Sequence, residues 1–326
     1  MVIVFTIAFL YDQLIYEKDI SSGFDVFLEI SSGFLTSIFL LVVVLLIPVN
    51  IFLESLKWKY LIDKLEPVSL LNSIKAVLAG ISVSMIMPNR VGDYLGRVFI
   101  LKKADRLQAV LATMLGSLAQ LLTTFIFGMI ALIFYYPEYF NIAYGGLNFW
   151  IYIGFIILII STITIMILAY LNFSVFSIII KKVSGNYYSK IEKYAQVFSW
   201  YNQRELLKVF LLSIFRYGVF SFQFFLLLWF FGINVNYFVA MMLIAAIYLF
   251  MTIIPTIALT EIGVRGSISL YVFQHHFETV GFWSPEIAIG VVTASSILWL
   301  FNIIFPAIIG LIFVFSLKFF RKSNGN

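Results

Sequence analysis

Six ionisable side chains interrupt otherwise apolar stretches of this sequence, and their types suit the holding of an anion at membrane depth. Arg90, Asp93 and Arg97 lie in MPNRVGDYLGR, Glu261 and Arg265 in TIIPTIALTEIGVRGS, and Arg216 stands alone in LLSIFRYGVF. An arginine at the centre of a membrane helix costs about 2.5–3.5 kcal/mol on insertion scales, so each one calls for a partner or a function. A guanidinium presents a planar fork of donors that matches phosphate. A carboxylate at the same depth either neutralises an arginine or, its pKa raised by burial, carries a proton. Four arginines against two carboxylates leave positive charge over, and a bound anionic group such as a phosphate balances it. The plainer readings are that Arg90 and Arg97 mark a cytoplasmic surface and that Arg216 is ion-paired with Asp93 or Glu261.

Both motifs also carry the means to break a helix: Pro88 and Gly92 in the first, Pro255 and Gly263 in the second. Proline removes a backbone donor, which is tolerable at membrane depth only inside protein or beside a wet cavity. The matching ingredients are those of an inverted repeat whose broken helices frame a site.

The elements that must position these residues are membrane helices. Of 326 residues, 62% are hydrophobic and 11% charged, too little polar surface to solvate a soluble fold of this size. Apolar runs such as 34–53, 149–171 and 209–231 each suffice to cross about 30 Å of hydrocarbon. The short alternating segments of a β-barrel are absent. There is no cysteine, which excludes thiolate sites and disulfides, and the two histidines, His275 and His276, point apart on a helix and make a poor metal pair. No metal or other cofactor is expected. The net charge of +5 is dispersed through short loops, so it orients the chain in a membrane rather than binding nucleic acid. Residues 2–11 have neither the basic region nor the cleavage site of a signal peptide and read as a short first span.

Sorting loops by charge gives a topology. The stretch 12–32 carries Asp12, Glu17, Asp19, Asp25 and Glu29 against Lys18 and reads as outside. Lys57, Lys59 and Lys64, then Arg97 to Arg106, the central loop 172–206 and the tail with Lys318, Arg321 and Lys322 read as cytoplasmic. Spans are expected near 2–11, 33–53, 107–134, 149–171, 207–232 and 285–316. Residues 70–102 and 237–282 then begin and end on one side each, as two opposed re-entrant hairpins. The whole of 1–326 is one transmembrane domain, an all-α helical bundle with halves 33–171 and 207–316 joined by 172–206. Plasma (inner) membrane is the expected location.

The remaining features are scaffold. Trp58, Tyr60, Trp150, Trp200 and Tyr201 read as interfacial aromatic belts, 187–203 as an amphipathic interfacial helix, and Gly80 with Ser84, like Gly116 with Gln120, as close helix-packing positions. No phosphate-binding loop or hydrolase motif occurs, and the longest polar stretch is too short for a soluble enzyme domain.

At MPNRVGDYLGR and PTIALTEIGVRGS the chain resembles the transmembrane region of the lysylphosphatidylglycerol synthase family, the flippase-like membrane proteins. The first motif is similar to that family's Pro-x-Arg-x-Gly-acid-x-x-x-Arg signature, on Pro88, Arg90, Gly92, Asp93 and Arg97; the second is similar to its Gly-x-Gly-x-Arg-Glu element, on Gly263 and Arg265. LESLKWKYLI, with Trp58, matches the pattern after the family's second span. Asp93 stands where glutamate is usual and Gly266 where an acid follows the arginine, with Glu261 able to supply that charge one turn earlier. Members that synthesise aminoacylated phospholipid carry a soluble transferase domain after the membrane region, and this sequence ends at Asn326, so the resemblance implies lipid translocation without synthesis. The reading is a non-enzymatic transporter whose partners are membrane lipids and whose substrate is an anionic phospholipid or lipid-linked precursor. The alternatives are a membrane-embedded transferase using a polyprenyl-phosphate donor, a secondary transporter of a small anion, and a membrane scaffold.

Overall fold

A computed structural model describes residues 34–85, 87, 91–140, 147–184, 188–255 and 258–316. Among them every regular element is helical and there is no strand. In chain order the helices are α1 (Phe34–Ile62), α2 (Leu70–Ser84), α3 (Val91–Val98), α4 (Arg106–Phe140), α5 (Leu147–Leu171), α6 (Ser174–Ser184), α7 (Tyr188–Ala195), α8 (Gln203–Phe230), α9 (Tyr237–Ile253), α10 (Ala258–Val280), α11 (Pro285–Trp299) and α12 (Phe305–Ser316). A short 3₁₀ turn follows α7, and a π-helical turn, Leu300–Ile304, links α11 to α12.

Among the described residues five stretches are long and apolar enough to cross a membrane: Ser37–Ile62, Arg106–Phe134, Asn148–Leu171, Gln203–Phe230 and Pro285–Phe315. They answer five of the six expected spans; the expected span 2–11 lies outside the described residues. In Asn148–Leu171 the share of the apolar window buried by protein is 6%, so hydrocarbon is the only solvent that suits the rest. The chain is a helical membrane protein.

Local chemistry sets the element ends. Ser69 caps α2 by accepting the Asn72 N–H, and Ser284 caps α11 by accepting that of Ile287, with Pro285 in the first turn where its missing donor costs nothing. Helices α8 and α10 end at Gly232 and Gly281, both at positive φ (74° and 79°). The Ile233 N–H returns to Leu228 O and the Phe282 N–H to Phe277 O, a left-handed closure that glycine adopts without penalty.

The described residues form two compact units, each drawing on several parts of the chain. Unit 1 comprises Met1–Val49, Leu121–Ile167 and Tyr217–Phe301; its core is built by Phe224, Leu227, Leu243, Ile247, Phe273 and Val291, and within it α10 packs on α9 and α11. Unit 2 comprises Asn50–Gln120, Leu168–Arg216 and Asn302–Asn326, and within it α2 packs on α3 and α12. Gly310 of α12 lies so close to α2 that a Cβ there would strike the Leu78 carbonyl group, and Ser82 Oγ donates to Ala307 O at 2.6 Å. Asn50 Nδ2 donates to Asn302 Oδ1 at 3.0 Å, tying α1 to the π turn.

Several expectations change here. Helix α1 continues to Ile62 instead of stopping near 53, so Lys57 belongs to the helix and is buried, not a loop charge. Trp58 is also buried, its Nε1 donating to Thr113 Oγ1 at 3.0 Å, and Tyr201 is buried with its hydroxyl on Leu61 O at 2.7 Å. Neither belongs to an exposed aromatic belt. The stretch expected as one interfacial helix over 187–203 is α7, the 3₁₀ turn and the start of α8, with Ala195 and Val197 buried in unit 2. Gly92 and Gly263 lie inside α3 and α10 and break neither helix. The interruption in the second motif falls at Ile254, whose backbone is extended, and Pro255. In the first it follows Met85, and Pro88 lies outside the described residues.

Candidate functional site: a buried charge cluster and a helix-break ion pair

Unit 2 gathers charges that the chain disperses. Glu54 and Lys57 come from α1, Asp93 and Arg97 from α3, and Arg216 from α8. Spacing makes two of the pairs: three residues bring Lys57 Nζ to Glu54 Oε2 at 2.7 Å, and four bring Arg97 Nε to Asp93 Oδ1 at 2.8 Å, with Nη2 on Oδ2. Packing makes the others. Arg97 Nη1 donates to Glu54 Oε1 at 2.6 Å, and Arg216 Nη1 lies 3.3 Å from Glu54 Oε2 and 3.3 Å from Gln120 Oε1. Glu54 thus serves three cations.

Glycine lets α3 come near enough to do this. A Cβ on Gly96 would sit 2.7 Å from Gly80 Cα and 2.8 Å from Ala79 O, and one on Gly80 would sit 2.8 Å from Arg97 Cγ and from Asp93 O. Gly92 plays the same part further along, where a Cβ would lie 2.6 Å from the Val83 carbonyl carbon. The backbones of α2 and α3 touch, as small residues permit in membrane helix pairs, and Asp93 and Arg97 are pressed toward Glu54.

The side chains of Glu54, Lys57 and Arg97 are 6%, 2% and 6% exposed, and Arg216 is the most exposed of the three cations at 22%. Of the residues singled out by the sequence, Asp93, Arg97 and Arg216 meet here, and Arg90 lies outside the described residues. Arg216 reaches Glu54, a carboxylate that neither expected pairing included. Glu54 and Lys57 are what reading the sequence missed. The signal was there: an acid and a base one helical turn apart in a run hydrophobic enough to be a span, just before the Trp58 motif.

In unit 1, Arg265 Nη2 donates to Glu261 Oε1 at 3.0 Å, one turn back on α10 and just beyond the break at Pro255. The guanidinium carbon lies 6.0 Å from the centre of the Tyr248 ring, within cation–π range. Tyr248 is fixed in turn by its hydroxyl on Phe220 O (3.3 Å) and by the edge-on ring of Tyr217, which stacks on Phe127. Glu261 thus pairs with Arg265 from one turn earlier on the same helix.

Chemically, the unit 2 cluster opposes three cations to two carboxylates among the described residues, an arrangement that attracts an anion. No group of three or more potential metal ligands occurs among those residues.

The family model of the lysylphosphatidylglycerol synthase TM region matches residues 2–273, which takes in α1 to α9, the charge cluster and the Glu261–Arg265 pair. Among curated proteins and among solved structures, none matches the chain. The match spans most of the sequence and includes both motifs at which charge and helix interruption coincide, and by it this chain belongs to the lysylphosphatidylglycerol synthase TM region family.

Proposed function

We propose that this protein moves an anionic phospholipid or lipid-linked precursor across the bilayer without making or breaking a covalent bond, and that Arg216 is the side chain that meets the headgroup phosphate. The observation that carries this is the excess of cations over carboxylates, among the described residues, in a buried cluster that α1 and α8, both apolar enough to span, build with the short helix α3. An anion relieves that excess, and arginine provides the bidentate geometry for phosphate. Glu54 holds the cations apart and in place, Asp93 neutralises Arg97, and the Glu261–Arg265 pair marks a second, charge-balanced point at the other helix interruption. On this reading α2/α3 and α9/α10 are re-entrant hairpins entered from opposite sides, the halves 33–171 and 207–316 are the units of an inverted repeat, and the protein resides in the plasma membrane with 172–206 and the carboxyl end in the cytoplasm.

The test is redistribution of a fluorescent phosphatidylglycerol between leaflets of proteoliposomes containing the purified chain, Arg216→Lys or Arg216→Gln. The parent chain is expected to accelerate exchange, Arg216→Gln to lose at least about tenfold of that rate and Arg216→Lys to recover only part, since lysine keeps the charge but not the fork. A well-folded Arg216→Gln that matches the parent excludes phosphate contact at this residue. Appearance of a covalently altered lipid would favour the transferase reading.

A further inference from the structure

The helix α6 carries its apolar stripe on the wrong side for a protein-packed helix. Val175, Phe176, Ile179 and Val183 fall on one face by helical spacing, and all four are exposed, Val183 to 80%. Ser177 and Ser184, on the other face, are half-buried, and no residue of α6 is fully buried. The neighbouring α7 and 3₁₀ turn show the ordinary polarity, with Ala195 and Val197 buried. Helix α6 also starts almost where a span ends: α5 closes at Leu171, and the Val175 N–H bonds Asn172 O and the Phe176 N–H bonds Phe173 O, so only a tight turn separates them. Leu168, on the last turn of α5, is exposed as well, so an apolar outer surface runs from the span into α6. The last turn of α6 holds two adjacent lysines, Lys181 and Lys182, both exposed, with Lys181 Nζ 5.7 Å from the Tyr188 ring centre.

We infer that α6 lies in the membrane interface as a surface helix, its Val175, Phe176, Ile179 and Val183 face sunk among acyl chains and Lys181 and Lys182 gathering anionic phospholipid headgroups around the end of α5. The occupant of the apolar face is the bilayer, because the face continues an apolar span at its membrane edge and because the two lysines add the charge that an anionic lipid surface attracts. Burial to the depth of the headgroup boundary is what an amphipathic interfacial helix gains, and each basic residue close to an anionic lipid surface raises association about fivefold.

The absence of cysteine from the sequence makes the experiment direct. The full chain carrying Val183→Cys or Ser177→Cys is labelled with an environment-sensitive fluorophore and reconstituted in nanodiscs of phosphatidylcholine, with and without phosphatidylglycerol, containing spin-labelled lipid of either headgroup. The label at 183 is expected to be quenched by spin-labelled lipid and shielded from iodide, with the reverse at 177. Spin-labelled phosphatidylglycerol should quench more than spin-labelled phosphatidylcholine, and Lys181→Gln with Lys182→Gln should remove that preference while leaving the label at 183 in the bilayer. Equal access of iodide to both sites overturns the proposal. So does a label at 183 shielded from both quenchers with energy transfer between copies, which would put a second chain on this face. A phosphatidylglycerol preference unchanged in the double variant refutes the role given to the lysines.

Discussion

Glu54 and Arg97 are 43 residues apart in sequence and 2.6 Å apart in the folded chain, Oε1 to Nη1, both shut away from solvent. Removing the acid from such a pair leaves buried cations uncompensated, which costs about 3–5 kcal/mol. Glu54→Ala is therefore expected to lower the unfolding temperature of the detergent-purified chain sharply. Glu54→Gln with Arg97→Gln, which removes an opposite pair of charges, should destabilise less than the sum of its singles. A melting curve of Glu54→Ala superimposed on the parent's would mean that these cations are satisfied elsewhere.

The contact of α2 with α3 depends on missing side chains. Gly96→Ala would force a methyl group to 2.7 Å from Gly80 Cα, and overpacking of this kind costs about 1–3 kcal/mol. Gly154 and Gly218, whose Cβ positions meet nothing within 4 Å, serve as controls in which alanine should be tolerated. The comparison is read from thermal aggregation of the three variants side by side.

Trp58→Phe keeps most of the buried ring but abandons the 3.0 Å bond to Thr113 Oγ1. Thr113 Oγ1 keeps its own 2.8 Å bond to Ala109 O but loses the indole donor, which is expected to cost about 1 kcal/mol. Trp58→Phe with Thr113→Val, which removes both polar partners, should regain part of the loss in chemical denaturation.

Glu66 gives a pH dependence outside the spans. Burial acts to raise its pKa, but the backbone N–H groups of Ala104, Lys103 and Lys102 outweigh that and hold the carboxyl below its ordinary value. A depressed carboxylate stabilises the folded link fully above the unfolded pKa and loses that contribution as pH falls through the folded one. Amide hydrogen exchange at Lys103 and Ala104, corrected for its intrinsic pH dependence, should show protection at neutral pH that declines only under acid conditions below the ordinary carboxylate range. In Glu66→Gln protection should be weaker and nearly independent of pH.

The sequence was most legible where hydrophobic runs exceed the bilayer thickness, because length and apolarity alone decide a span. The runs around 107–134 and 149–171 are cases, and the helices there follow closely. It was least legible where charge enters a span. Lys57 sits near Lys59 and Lys64 in sequence, so loop statistics assign all three to the surface, whereas the pairing of Lys57 with Glu54 one turn earlier holds it on the buried face of α1. The motif glycines were legible as special but not in kind. Proline interrupts a helix through its own chemistry, but whether a glycine ends a helix or admits a neighbour depends on what packs there, as Gly92 against Val83 shows.

The pairing pattern within the helices bears on how the chain enters a membrane during synthesis. Lys57 emerges three residues after Glu54, Arg97 four after Asp93 and Arg265 four after Glu261, so each of these bases reaches the translocon already neutralised by its own segment. Arg216 has no acid within a turn of it on α8 and finds Glu54, on a helix made long before. Part of its insertion penalty of about 2.5–3.5 kcal/mol is met once α8 packs beside α1. The order of the helices along the chain thus favours assembly: a circularly permuted chain that places α8 ahead of α1 would present Arg216 to the bilayer before Glu54 has been made.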